Sequence, residues 1–262
     1  MKYYFFIAVS VFSSLVFSQN KEEIKVYSYD FIINGNYTAT DLKVKGEEAL
    51  FSIYYSKVNE DSNSEISDNE TQSSMTIRIP SPDAYVYTNL QEGSLYSNEQ
   101  FLNKTFIVKD SIAIVNWVLT DDFKEVLGHK CQKATASFRG RDYIAYFNPN
   151  IPESFGPWKF HGLPGLVFEI SSLDDYLVIS LRDISVTDQK IEFNVFRDEK
   201  PIDYLEYKKK VQDKYKHMAE YNESKNLENA TKGFFMYDSI EHDLFQEVND
   251  ITKKKIEELY TP

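Results

Sequence analysis

From Ile24 to Val195 short apolar runs alternate with polar, turn-forming clusters. IKVYSYDFII (24–33) alternates well enough for a half-buried strand and ends at the turn Asn34-Gly35-Asn36. The same pattern predicts strands in ALFSIYYSKV (49–58), SMTIRIP (74–80), AYVYTNL (84–90) and SLYSNEQFL (94–102). KTFIVKD (104–110), IAIVNWVL (112–119) and FKEVLG (123–128) follow in turn. CQKATASF (131–138) and DYIAYF (142–147) flank Arg139-Gly140-Arg141, a hairpin turn with glycine at its centre. LVFEISS (166–172) and YLVISLRDISV (176–186) flank a second hairpin at Leu173-Asp174-Asp175, and EFNVF (192–196) follows. Such a series makes a mainly β protein: one large antiparallel curved sheet or half-barrel, with a sandwich as the alternative.

The texture changes after Pro201. Tyr204, Tyr207, Val211, Tyr215 and Met218 recur three or four apart, which predicts one buried face of a helix. Lys208, Lys209, Lys210, Lys214 and Lys216 form its basic side, a solvated face or a contact for anionic lipid or a partner. A loop near Asn222–Lys232 precedes a second helical pattern at Phe245, Val248, Ile256 and Leu259. The expected organisation is a leader at 1–18, a β domain at 19–200 and a helical segment at 201–262 packed on the same domain.

The leader is MKYYFFIAVSVFSSLVFSQN: Lys2, an apolar run from Tyr3 to Phe17, then small Ser18. That is the layout of a secretory signal peptide cleaved after Ser18, with Gln19 next in line. The run is short for a membrane span, and no later stretch is long and apolar enough to be one. The protein is therefore expected to be exported and soluble, in the periplasm or, alternatively, outside the cell.

Composition sharpens this picture in three places. Aromatic residues make up 15% of the chain, which suits pleated faces covered by large side chains. The net charge of −12 argues against a nucleic-acid partner, which demands a basic footprint. Cys131 is the sole cysteine, so no disulfide forms within the chain, and a small buried apolar role is expected for it.

Candidate chemistry is sparse. His129, His161, His217 and His242 are scattered; His129 and Cys131 offer two ligands on one strand face but lack a second pair, so no metal or cofactor is expected. Asp61, Asn63 and Glu65 open like a calcium loop, but Ile66 and Gln72 stand where glycine and glutamate are needed. Residues 59–73 therefore read as a solvated loop. There is no G-x-S-x-G elbow and no phosphate loop, and no catalytic residue is assigned. Glu169 sits in the apolar strand LVFEI: turned inward it needs a cation, for which Arg139, Arg141 and Lys159 are candidates; turned outward, alternation explains it.

GPWKFHGLPGLVFEI (156–170) concentrates turn formers among large apolar residues. Gly156, Pro157, Gly162, Pro164 and Gly165 provide the turns, with Leu163-Pro164-Gly165-Leu166 in the pattern of a type II turn. Trp158, Phe160, Leu163 and Leu166 would fold back onto the sheet like a plug, or else line a ligand-binding lip. Here the chain resembles the GLPGLI family: Gly162-Leu163-Pro164-Gly165-Leu166 is followed by Val167 in place of the terminal isoleucine. The resemblance continues through Gly128, Cys131–Ala134, Phe138–Arg141, Tyr143, Ala145–Phe147, Ile151-Pro152 and Gly156–Phe160. It implies a secreted or periplasmic protein of Gram-negative bacteria, often found beside outer-membrane transport components, and it implies no particular activity.

Three functions remain to be weighed. The first is a non-enzymatic carrier of a hydrophobic or peptidic ligand linked to outer-membrane transport. It calls for an apolar cavity above about 300 Å³ near Trp158. The second is a hydrolase built on Glu169 or another carboxylate with Arg139 or Arg141. The third is an assembly partner, marked by an exposed apolar patch.

Overall fold

The computed structural model describes residues 23–54, 83–102, 104–112, 115–224, 240–245 and 250, with no side-chain description at 218–224 and 242. The expected leader, the strand at 74–80 and the loop at 59–73 lie outside these residues. So do Val248, Ile256 and Leu259.

Among the described residues the alternating runs become twelve strands: β1 (Ile24–Ile33), β2 (Asn36–Lys45), β3 (Glu48–Ile53), β4 (Ala84–Asn89), β5 (Ser94–Phe101) and β6 (Lys104–Ser111) come first. β7 (Val118–Val126), β8 (His129–Phe138), β9 (Arg141–Asn148), β10 (Leu166–Ser172), β11 (Leu177–Thr187) and β12 (Ile202–Asp203) follow. They form one open sheet in the order β12-β6-β5-β4-β3-β2-β1-β11-β10-β9-β8-β7. All neighbours are antiparallel except β12, which pairs parallel to β6 at Val108 and Lys109 only. Single-sheet architecture with a C-terminal helix, α1 (Tyr204–Ser224), replaces the sandwich alternative.

Tight turns set the hairpins. Arg139 (φ 50°) and Gly140 (φ 82°) join Phe138 to its partner Arg141, as do Leu127 and Gly128 between Val126 and His129. Positive φ at both central residues is the twist-matched turn for a two-residue hairpin.

Three segments depart from the expected pattern. IAIVNWVL and FKEVLG are one strand, β7, which begins only at Val118; Trp117 instead leaves the sheet and donates its indole N–H to the carbonyl of His161 at 2.9 Å. EFNVF is not a strand but a turn-rich cover whose Phe193 and Phe196 are buried on the outer face with Ile24, Leu50 and Tyr87. β2 has little apolar pattern to announce it, because two of its four buried residues are Thr38 and Thr40 beside Leu42 and Val44.

The sheet curls strongly. β6 and β8 stand nine strands apart, which in a flat sheet is roughly 43 Å at the usual strand spacing. Yet Arg139, at the end of β8, forms an ion pair with Asp110 of β6. The two ends of the sheet therefore face each other across a concave side. Tyr27, Tyr29, Phe31, Phe51, Leu95, Tyr143, Phe147 and Ile179 point into it and form the main core. α1 closes the β5–β6 end through Tyr204, Tyr207 and Val211, packed on Val108 with Leu244 and Phe245. Tyr204, Tyr207, Val211 and half-buried Tyr215 lie on the apolar face its spacing predicts, the Met218 side chain lies outside the described residues, and the helix runs past Asn222 to Ser224.

Candidate functional site

The segment between β9 and β10 is a plug lodged inside the curled sheet. Trp158 is 6% exposed, Leu163 2%, and Phe160 and Leu166 fully buried. Phe160 meets Tyr143 (4.8 Å between ring centroids), Phe138 (6.0 Å) and Trp158 (5.2 Å) in edge-on or T-shaped contacts. Trp158 takes φ 54°, a backbone region unfavourable to bulky residues, tolerated here because its indole is packed into the core. Gly156 allows the plug to fold on itself, since a Cβ there would strike the carbonyl oxygen of Phe160.

The Leu163–Leu166 corner is not the closed type II turn its sequence suggests. Gly165 has φ 155°, far from the value near +80° of that turn, and the amide of Leu166 donates to Ile151 at 2.9 Å. Gly165 is required for a different reason: a Cβ would collide with the backbone of Asn148 and Pro149.

Polar groups on the plug reach strands on both halves of the sheet. Glu153 pairs with Lys25 of β1. The Nδ1 of His161 accepts from the amide of Gly156 (3.4 Å), which leaves Nε2–H to donate to Thr88 Oγ1 of β4 (3.1 Å). Burial lowers the pKa of His161 to about 4, so the ring is neutral at ordinary pH.

Lys159 is the centre of the charged network. Its side chain is fully buried, and its Nζ donates to Glu99 Oε1 of β5 at 2.8 Å and to Glu241 Oε1 at 3.0 Å. Arg139 Nε lies 3.6 Å from the same Glu241 oxygen without a hydrogen bond, while its Nη2 donates to Asp110. The Arg139 guanidinium also stacks 3.2 Å from the centre of the Tyr204 ring. Burial opposes the Lys159 charge, but Glu241 and Glu99 outweigh it and raise its pKa. Burial likewise opposes the charge on Glu99, and Lys159 overcomes this to hold that carboxyl below its usual range. On Glu241 burial wins over Lys159 and pushes the carboxyl up to about 7.

Of the four sequence candidates for a polar cluster, Arg139 and Lys159 converge on Glu241. Arg141 pairs with Asp174 at 2.8 Å and donates to the carbonyl of Ile240 at 3.3 Å, beside that network. Glu169 points away from the core and pairs with Lys124, whose ammonium lies 4.0 Å from the centre of the Tyr146 ring. Cys131 is buried; burial first, then the Glu169 charge, pushes its thiol up to about 11. Among the described residues no three His, Cys, Asp or Glu side chains group as a metal site. Glu99, Asp110 and Glu241 carry no sequence signal that separates them from the other acids.

Above the network, an open cleft of about 710 Å³ lies between β5–β6, the β8–β9 turn and the start of α1. Lys109, Asp110, Arg139, Asp203, Tyr204 and Asp243 line it, together with Phe138 and the exposed Leu205. Asp203 accepts from the Leu205 amide (2.8 Å) and so caps α1. Asp243 accepts from Tyr204 (3.0 Å) and Lys208 (2.6 Å).

Fold and site together define a curled, open antiparallel sheet filled by its own loop, with a polar cleft where its ends meet. No family model matches the chain, and no curated protein does. Among solved structures it is similar to PNGF-II in two space groups, at TM-scores of 0.50 and 0.49 and identities of 13% and 12%. Both alignments cover 71% of this chain and 32% of the other, so this chain spans about a third of that structure. An uncharacterized conserved protein from Thermus thermophilus aligns over 70% of this chain and 91% of its own, at a TM-score of 0.38 and 7% identity. At such identities the likeness to PNGF-II is one of fold alone.

Proposed function

We propose that the protein is an exported, periplasmic member of the GLPGLI family that acts as a non-enzymatic binding protein for a peptidic ligand, in service of an outer-membrane transport component. The filled concave face near Trp158 counts against a carrier of an enclosed hydrophobic ligand; the observation that supports the peptide reading is the open cleft where the ends of the sheet meet. Phe160, Leu163 and Leu166 occupy the space in which an enclosed hydrophobic ligand would have to sit. Recognition then falls to the cleft of about 710 Å³, whose walls combine charges of both signs with Phe138, Tyr204 and exposed Leu205. A peptide offers the same mixture of charge, amide groups and apolar side chains. β12 pairs with just two residues of β6 beside this cleft, a setting that suits an extended segment running along the strand.

The hydrolase reading loses Glu169, which lies with Lys124, but keeps another carboxylate beside Arg139, since Asp110 pairs with it at the wall of the cleft. An assembly role has one observation in its favour: the edge strand β7 and its turn expose Val118, Leu119, Phe123 and Leu127.

The test is to purify the protein from its native envelope and identify co-purifying material by mass spectrometry, beside Leu205→Glu. That substitution puts an acid in the first turn of α1, where the helix dipole favours it, and charges the lip of the cleft. Peptides retained by the parent and lost by the variant support the cleft; a stoichiometric protein retained by both points to β7 instead. A parent that carries neither overturns the reading.

A further inference from the structure

β11 is 11 residues long, but β10 accompanies only part of it. Among the described residues β10 pairs with β11 at Glu169, Ile170 and Ser171 alone, opposite Ser180, Ile179 and Val178. Beyond that point the two strands part. The Tyr29 hydroxyl, pointing into the core, donates to the Val167 carbonyl (2.8 Å), and the Leu166 amide donates to the carbonyl of Ile151 (2.9 Å). These bonds hold the first half of β10 over the concave face, with its ladder to β9 irregular between Val167 and Glu169. The tail of β11 keeps β1 as its neighbour, with Asp183–Thr187 in unbroken register opposite Ser28–Ile24, and no described strand lies along its other edge. Arg182 to Val186 are all exposed, Ile184 at 44% and Val186 at 62%.

Two rows of inward side chains end at this edge. One runs through Val86, Phe51, Leu42 and Tyr27, each buried, to Ile184. The other runs through buried Thr88, Ala49 and Val44 to Lys25, which reaches out to Glu153 of the plug, and then to Val186. In a continuous sheet the next strand covers the last side chain of each row. Among the described residues that strand is missing, and both rows stop at an exposed apolar residue. Every second residue of a strand also turns its N–H and C=O to the open side, so the edge is suited to another extended chain. The chain after Thr187 does not supply it, since Phe193 and Phe196 lie on the outer face with Leu50 and Tyr87.

The tail is complementary to itself. A two-fold axis through Ile184 would set Val186 against Arg182, which is bulged from the ladder; an axis through Val186 would set Ile184 against Asp188. An axis through Ser185 sets Ile184 against Val186 twice, Asp183 against Thr187 twice and Ser185 against its own copy. Apolar side chains then meet apolar ones, acids meet hydroxyls and no like charges are opposed. We propose that Asp183–Thr187 of β11 is a self-pairing edge, through which two copies of the chain join their sheets antiparallel about Ser185. The core rows of both copies then run on across one sheet. Asp183–Thr187 is short against the roughly 20–30 residues a side of a standard interface, so the pairing is weak and depends on concentration. It is separate from the cleft, which no residue of β11 lines.

Sedimentation velocity of the whole protein should show its mass rising toward a dimer as concentration is raised about 100-fold to roughly 1 mM. Ile184→Lys, at an exposed position, should abolish the rise. Cross-linking then reads the register. In Ser185→Cys the two thiols face each other with Cα atoms about 4.5–5.5 Å apart, within the span of a disulfide. In Ile184→Cys the like positions lie on a diagonal of roughly 7–8 Å, so oxidation with copper phenanthroline should link Ser185→Cys about 10-fold faster. Cys131 is buried and adds no background. A parent that stays monomeric overturns the proposal, as does a rise in mass that survives Ile184→Lys, which would place the contact elsewhere, such as β7. Equal cross-linking of the two cysteine variants overturns the register about Ser185. Failure of the peptide-binding reading would leave these measurements untouched.

Discussion

Gly156 and Gly162 occupy the same plug and do different work. A side chain at Gly156 would meet the Phe160 backbone and the Val167 side chain, whereas Gly162, at φ 91°, has open space but a left-handed backbone. Gly156→Ala should therefore cost about 1–3 kcal/mol through overpacking and loosen the Trp158 contacts. Gly162→Ala should cost about 1–2 kcal/mol through backbone strain alone and leave Trp158 fluorescence unchanged. Urea titrations of the two variants, followed by fluorescence, separate these causes. The lone thiol gives a second residue-scale test. Buried Cys131, its thiol pushed up to about 11, should resist a thiol reagent at pH 8 and react fully once the protein is unfolded.

At the scale of elements, hairpin turns were the most legible features and strand ends the least. Asn34-Gly35 could be placed because glycine after an asparagine that tolerates positive φ is a local property of the chain, and Arg139-Gly140 because a lone glycine sits between two alternating runs. Leu127-Gly128 adopts the same positive-φ pair with a poorly suited, exposed leucine. Leu127→Asn should thus stabilise the protein by about 0.5–1 kcal/mol, read as a higher urea midpoint with unchanged slope. β1 was readable to the residue, since Tyr27, Tyr29 and Phe31 mark one face of it. β2 was not, because burial of Thr38 and Thr40 depends on what the rest of the sheet lays over them. EFNVF failed as a strand for the opposite reason. Its two phenylalanines are buried, but against the outer face of strands that already have partners, while Val195 is exposed.

For the whole molecule, one lysine ties the plug to Glu99 of β5 and to Glu241. Lys159→Met removes the cation between two carboxylates and should destabilise the fold by about 3–5 kcal/mol at pH 7.5. The cost should shrink toward pH 5, because Glu99 and Glu241 then escape the buried charge by taking up protons. Urea midpoints of parent and variant at the two pH values check both the size and the direction. A cost that grew on acidification would contradict the network as described.

The sequence by itself determined the class of fold, the hairpin turns at Asn34-Gly35 and Arg139-Gly140, the buried Tyr204, Tyr207 and Val211 of α1 and the apolar character of the plug. Each rests on spacing within a few residues, where side-chain period and backbone preference act locally. Only the tertiary structure decided that the sheet is single and curled and that its concave face is filled. It also decided which of the 41 acids in the chain gather around Lys159. Glu99, Lys159 and Glu241 are separated by 60 and 82 residues, and no local rule connects them. They meet because the twist accumulated over twelve strands brings β6 round to face β8, a property that belongs to the whole sheet.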